Sequence, residues 1–223
     1  MNITDMAFWT PVILSLKVAS VALILAFTFG VLTARLMTKY QFKGKVVLET
    51  ILMLPLVLPP TVVGFILIII FGKNSFIGQL IQLVFDHGIL FTVYAAIIAS
   101  TVVAFPLMYQ SAKNGFLSID EHIIEAARVD GNSDMRIFFK IIIPLSKNLL
   151  ITGAMLSFAR ALGEYGATLM FAGNIPGKTQ TLPTAVYSAI QSGNMTLAWL
   201  WVISIITISF VMMLFIRVKE NWH

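Results

Sequence analysis

The feature that most constrains this chain is that its apolar residues come in long continuous runs. Five intervals, roughly 12–36, 46–71, 89–111, 145–172 and 195–217, are long and apolar enough to cross a hydrocarbon core, which takes about 20 such residues. Hydrocarbon offers no water to the backbone, so every N–H and C=O must find a partner inside the protein. Continuous runs meet that demand as helices, whereas barrel strands would alternate. The expected fold is therefore an all-α polytopic membrane protein with five transmembrane helices, organised as one transmembrane domain over residues 1–223. With 58% hydrophobic and 11% charged residues and a mean hydropathy of +0.91, an ordinary soluble domain is ruled out.

The net charge of +5 has to be read by location. Arg35, Lys39, Lys43 and Lys45 follow the first interval. Lys113, Arg128, Arg136, Lys140 and Lys147 surround the segment between the third and fourth, and Arg217 and Lys219 follow the fifth. The opposite loops hold only Lys73 and Lys178. Basic residues stay on the cytoplasmic side, which predicts an N-terminus outside, a C-terminus inside and a cytoplasmic loop over 113–144. Charge placed this way calls for a lipid bilayer and no nucleic acid. The first interval does not read as a cleaved signal, because Asp5 and no basic residue precedes it and its apolar run is long. The chain has no cysteine, so neither a disulfide nor a thiolate metal site is expected.

One long polar stretch interrupts the spans, Ser118 to Pro144. Ser118 and Glu121 have capping-box spacing. Ile119, Ile123, Ala126 and Ala127 predict an apolar stripe opposite Glu121, Glu125 and Arg128. Gly131 stands where a left-handed C-terminal cap would end the helix. A second short helix is expected to set Met135, Phe138, Phe139 and Ile142 on one face and Arg136 and Lys140 on the other. The result would be a small helix lying across the inner mouth of a membrane bundle.

The order Glu125, Ala126, Ala127, three residues, Gly131, nine residues, Ile141, one residue, Ile143, Pro144 resembles the EAA loop of ABC importer permeases. The resemblance implies that this loop is a coupling helix, with Glu125, Ala126, Ala127, Asp130, Gly131 and Pro144 docking into a groove of a separate ATPase subunit. A solvated loop helix would account for the amphipathicity but not for the spacing.

Within the spans, polar and helix-breaking residues stand out. Lys17 either snorkels to the headgroups or faces a pathway and attracts an anion. In the second span Pro55, Pro59 and Pro60 remove backbone donors, so the helix should be kinked or unwound, with the break turned toward the bundle interior where its carbonyls can be satisfied. Pro59, Pro60, Thr61 and Gly64 are then pathway candidates, although a kink serving packing alone fits equally well. An amphipathic patch over 72–88, around Phe76, Ile77, Leu80, Ile81 and Leu83, is expected at the outer surface. Asp86 and His87 there form no metal constellation. Pro106 is expected to kink the third span near its cytoplasmic end. The fourth carries Arg160 near its midpoint and Glu164 four residues on, one helical face apart by a single turn. Buried charge at that depth reads either as a structural ion pair or as positive potential along an anion pathway, with Gly166, Thr168 and Asn174 as neighbours. Gly173, Pro176 and Gly177 suggest that the chain turns and partly re-enters. Trp199 and Trp201 read as interfacial anchors.

The strings LPLVLPPTVVG and RALGEYGATLMFAGNIPGKTQTLPTAVY are similar to the corresponding stretches of molybdate permeases and, less closely, of sulfate permeases. The resemblance covers essentially the whole chain. It implies a homodimeric pathway, two cytoplasmic ATPase subunits that bind ATP and Mg, an extracytoplasmic molybdate-binding protein, and alternating access in the cytoplasmic membrane of a bacterium or archaeon. Asn174, Lys178, Thr179 and Gln180 would line the outer gate or meet the delivery protein. This chain itself would hold no cofactor, no metal and no catalytic residue. Its AGNIPGKT segment approaches a phosphate-binding loop, but Ala172 occupies the first glycine position and no strand precedes it. Sulfate, thiosulfate or tungstate permeases are the neighbouring alternatives. An ion-gradient-driven secondary anion transporter is the alternative of a different class, disfavoured because no internal repeat is found.

Overall fold

The computed structural model describes residues 3–85 and 87–220; Asp86 lies outside them, as do the side chains of Asp5, Arg217 and Lys219. Every regular element among the described residues is helical. In chain order they are α1 (Ile3–Lys39), α2 (Lys45–Val57), α3 (Pro60–Phe71), α4 (Phe76–Phe85), α5 (Val93–Leu117), α6 (Glu121–Val129), α7 (Asp134–Ile137), a π-helical turn (Phe138–Ile142), α8 (Ile143–Leu145), α9 (Lys147–Leu162), α10 (Gly166–Ala172), α11 (Leu182–Gln191) and α12 (Met195–Glu220).

Three helices are continuous and apolar enough to cross a membrane: α1 over Ala7–Lys39, α5, and α12 over Met195–Leu214. The other two expected spans are not single rods. At Leu58 and Pro59 both residues are extended, and α2 and α3 meet there at 119°. Segment Asp134–Leu145 meets α9 at 74°, so the crossings number three, or up to five if each bent pair is one span. The expected fourth span, 145–172, is also interrupted internally: α9 closes at Leu162 with Gly163 as its cap, and α10 starts at Gly166. Gly163 and Gly166 flank this break, where one continuous fourth span was expected. Helix α5 contains Pro106, continues as one helix to Leu117 and is closed by Ser118.

Where α1 meets α5 the core is a seam of small residues. Ala19, Ala22, Ala26 and Ala34 of α1 and Ala95, Ala96, Ala99, Ala104 and Ala112 of α5 have no exposed surface. Between lipid-embedded helices the gain comes from close backbone approach, which small side chains permit. At Gly30 a methyl group would stand 2.9 Å from Met108 Cγ and 3.1 Å from the Tyr109 backbone nitrogen. Helix α9 joins this pair: the Ser157 hydroxyl donates to the Ala104 carbonyl at 3.2 Å.

At the end away from residues 118–146, α11 folds back against α12 and α1, as the Gly173–Gly177 turn suggests. Its first amide, Leu182 N–H, donates to Ser15 Oγ at 2.6 Å. Trp201 is 5% exposed and donates through Nε1 to the Phe8 carbonyl at 3.1 Å. It is a tertiary clasp between α12 and α1 and not an interfacial anchor; Trp199, 62% exposed, keeps the anchor geometry. Helix α4 forms where the amphipathic patch was expected, with Phe76, Leu80 and Leu83 exposed.

Candidate functional site

Two constellations carry the polar residues singled out above. The first is the segment between α5 and α9. Ser118 does not open α6; it closes α5, its amide donating to Asn114 O at 3.0 Å and its hydroxyl to Gly115 O at 2.9 Å. The N-cap of α6 is Asp120, which accepts from His122 N–H at 3.0 Å. Asp is as good a cap as Ser, and it sits directly before the helix. Helix α6 ends as the glycine predicts. Gly131 has φ +80, its N–H donates to Arg128 O at 3.0 Å, and Asn132 N–H donates to Ala127 O at 3.2 Å, which is the Schellman pairing.

The expected apolar stripe on α6 is divided. Ala127 is buried, with Ile119 and Ile124 packed near it, against the cluster of Val31, Met37, Met108, Phe116, Ile137 and Phe138. Ile123 and Ala126 are exposed, as are Glu125, Asp130 and Val129. The second helix also differs: Ile137, Phe138 and Ile142 are buried while Met135 and Phe139 are exposed. The cause is the π-helical turn at Phe138–Ile142. Pro144 has no N–H for the Lys140 carbonyl and its ring would clash there in an α-helix; a π turn widens the ladder one turn earlier and shifts the phase of every side chain in it.

Ion pairs tie this segment to α1. Lys39 Nζ lies 2.7 Å from Asp134 Oδ2, Arg128 NH2 lies 3.7 Å from Asp134 Oδ1, and the Arg35 guanidinium sits 5.3 Å from the centre of the Phe138 ring. Sequence reasoning missed a companion at the same end. Glu49 of α2 accepts from Lys113 Nζ at 2.8 Å and from Tyr109 Oη at 3.0 Å, both on α5. A lone carboxylate inside an apolar interval was the available signal.

The second constellation is the meeting of the two helix breaks. A methyl group at Gly166 would stand 2.9 Å from Pro60 Cβ and 3.3 Å from Thr61 N; one at Gly64 would stand 2.7 Å from Met170 Cβ and 3.0 Å from Ala167 Cα. Both glycines are therefore required for α3 and α10 to touch. Glu164, 2% exposed, lies in the break beside this contact. Its Oε2 accepts from Arg160 at 2.5 Å and its Oε1 from Ala167 N–H at 2.7 Å. The carboxylate thus closes α9 through a side chain and caps α10 through the backbone, where the helix dipole favours negative charge. Arg160 and Glu164 are thus an ion pair that bridges the end of α9 and the start of α10.

Pro60, Thr61, Gly64, Glu164, Gly166 and Thr168 are gathered here, with Arg160 attached through Glu164, and Pro59 adjoins them at the break. Thr168 has no exposed surface and its hydroxyl has no partner among the described residues. Asn174 follows the far end of α10 and donates to Ser188 Oγ of α11 at 2.6 Å, so it is tied to α11. Thr179 is fully buried and accepts from Ile175 N–H at 3.0 Å, which makes it part of the turn after α10. No group of three or more His, Asp or Glu among the described residues is placed to hold a metal.

Residues 26–221 match the family described as binding-protein-dependent transport system inner membrane component. The chain is 60% identical over 220 residues to a putative molybdenum transport system permease protein, YvgM, of Bacillus subtilis, covering 99% of this chain and 97% of that protein. It is 42% identical over 199 residues to the molybdenum transport system permease protein ModB of Escherichia coli, covering 88% and 87%. A probable sulfate transport system permease of Chlorokybus atmophyticus is more distant, 30% identical over 184 residues, with 82% and 64% covered. Among solved structures, the MetNI methionine ABC transporter superposes with a TM-score of 0.76 at 19% identity, covering 99% of this chain and 98% of that one. At that identity the likeness speaks for the fold, which is that of ABC importer permeases.

Proposed function

We propose, from the premise that this chain belongs to the family of binding-protein-dependent transport system inner membrane components, that it is the membrane subunit of an ATP-driven molybdate importer. The observation that carries this reading is the 60% identity, over nearly the full length of both chains, to a molybdenum transport permease. The greater distance of the sulfate transport relative supports molybdate over sulfate.

In this reading the chain acts as a single transmembrane domain of five spans, two of them bent, with the N-terminus outside. Two copies enclose the pathway. Helix α6 is the coupling helix, and its exposed Glu125, Ala126 and Asp130 meet an ATPase subunit. Ala127 is turned inward and joins α6 to the bundle. Gly131 and Pro144 shape the two turns that hold it. Supporting this are the exposed apolar side chains at that end, Ile123, Val129, Met135 and Phe139, which a partner would cover. ATP and Mg bind the ATPase, and an extracytoplasmic binding protein delivers the oxyanion.

Alternating access then follows from how α6 is attached. Asp134 and Phe138 link its loop to Lys39 and Arg35 of α1, so displacement of α6 is transmitted to the long helix and from there to the seam. Residues Pro59, Pro60, Thr61, Gly64, Gly166 and Thr168 at the crossing of α3 and α10 are the place where the bundle opens, with Asn174 at its outer side. An importer must release what it admits, so weak donors and no deep charged pocket suit this crossing.

The test is reconstitution. Proteoliposomes holding the permease with its ATPase and binding protein should accumulate labelled molybdate only with ATP, and tungstate should compete better than sulfate. Accumulation driven by an ion gradient in vesicles lacking the ATPase would overturn the reading.

A further inference from the structure

A cavity of about 580 Å³ lies at the end away from the 118–146 segment. Its lining includes Lys17 of α1, His87 and Thr92 from the loop leading into α5, Tyr94 from the first turn of α5, and Lys178 from the turn between α10 and α11. Three stretches far apart in sequence converge here, and two of them bring an ammonium group.

Cations are scarce in this part of the chain. Lys17 is set among apolar residues of a spanning helix, and the loops at this end contribute only Lys73 and Lys178. Two of these three lysines share one cavity. Neither Lys17 nor Lys178 has an ion pair or hydrogen bond among the described residues, although five ion pairs are made elsewhere among them. Both side chains are exposed along it; like charges facing one space repel each other, and a bound anion removes that cost. The volume falls within the range of small-ligand sites, about 300–1,000 Å³. Thr92 is already occupied as the cap of α5, donating to Ile89 O and accepting from Ala95 N–H, so it fixes the rim; the two ammonium groups bring the charge, with the His87 ring and the Tyr94 hydroxyl beside them.

We infer that Lys17 and Lys178 form an outer anion site for a tetrahedral oxyanion, either free in solution or carried as a phospholipid phosphate. The assignment rests on this chain's own cavity and holds whether or not the assembly carries molybdate. For a free oxyanion the site would collect the solute at the mouth of the bundle. For a lipid phosphate it would pin α1 to the turn after α10.

The experiment is competitive acylation of lysines, read by mass spectrometry, on the permease–ATPase complex in nanodiscs. In phosphatidylcholine discs, millimolar sodium molybdate or inorganic phosphate is compared with sodium chloride of equal ionic strength. Slowing at both Lys17 and Lys178 by about threefold, the factor expected when the probe stands at twice its dissociation constant, with Lys73 unchanged, identifies a free-oxyanion site. Slowing by phosphatidylglycerol with no added anion, and no further change with phosphate, identifies the lipid source. Unchanged labelling of both lysines in every disc and salt overturns the site. So does protection of Lys17 that persists undiminished in Lys178→Gln, because the two would then not share a ligand. Loss of molybdate uptake with this pattern intact would instead count against the transport reading alone.

Discussion

Replacing Glu164 gives the most direct test of what holds the α9–α10 break together. Its side chain is 1% exposed, with one oxygen on Arg160 and the other on the Ala167 amide. Glu164→Gln keeps a carbonyl for Ala167 but removes the charge that faces Arg160. Stripping the partner from a fully buried ion costs about 3–5 kcal/mol. The Arg160 side chain is 29% exposed and recovers water, which moves the cost toward the roughly 1 kcal/mol of solvent-reached pairs. The expected loss is therefore about 1–2 kcal/mol, since interhelical hydrogen bonds in membranes average only about 0.6. Glu164→Ala also strands the Ala167 N–H and opens a void, so about 3 kcal/mol is expected. Equilibrium unfolding in detergent measures both, and a cycle with Arg160→Gln should show a coupling of about 1 kcal/mol. Molybdate uptake per assembled complex should be preserved in Glu164→Gln if the pair is scaffolding. Additive effects of Arg160→Gln and Glu164→Gln would refute the ion pair, and stability equal to the parent in Glu164→Ala would refute the capping role.

Other perturbations follow from the same geometry. Gly64→Ala places a methyl 2.7 Å from Met170 Cβ and 3.0 Å from the α10 backbone; α3 and α10 must separate, at about 1–3 kcal/mol, and detergent stability should fall while Gly88→Ala, with open space around it and no positive φ, should lose less. At Gly131 nothing lies within 4 Å, so its constraint is the positive φ alone. Gly131→Asn should then retain ATPase co-purification and Gly131→Val should lose it, because Asn tolerates the left-handed region and a β-branched residue does not; equal loss in both would point to bulk instead. Glu49→Gln should loosen α2 from α5 and raise hydrogen exchange at the 45–57 backbone, with little change at α12.

How much of this was legible beforehand depends on the range of the physics involved. Hydropathy is a local sum, so α1, α5 and α12 stood out as apolar runs. The Leu58–Pro59 break was readable because proline acts on its own turn, and Gly131 because a left-handed cap is a property of one residue. The capping of α6 went to Asp120 although Ser118 had the right spacing, since Ser118 was needed to close α5. The face of residues 135–142 was misjudged because Pro144 imposes a π turn, and a helical wheel assumes a constant period.

The sequence by itself determined that the chain belongs in a bilayer, which loops carry the basic residues, that the second apolar run breaks at its prolines and that Gly131 ends α6, because each of these follows from residues and their immediate neighbours. Only the tertiary structure decided that the two breaks touch through Gly64 and Gly166, that Trp201 clasps Phe8, that Glu49 reaches Lys113, and that Lys17 and Lys178 face one cavity. Those pairings join residues tens to nearly two hundred positions apart. Nothing in the local chemistry of either partner records the other; what brings them together is the packing of small-residue seams that fixes which helix lies beside which.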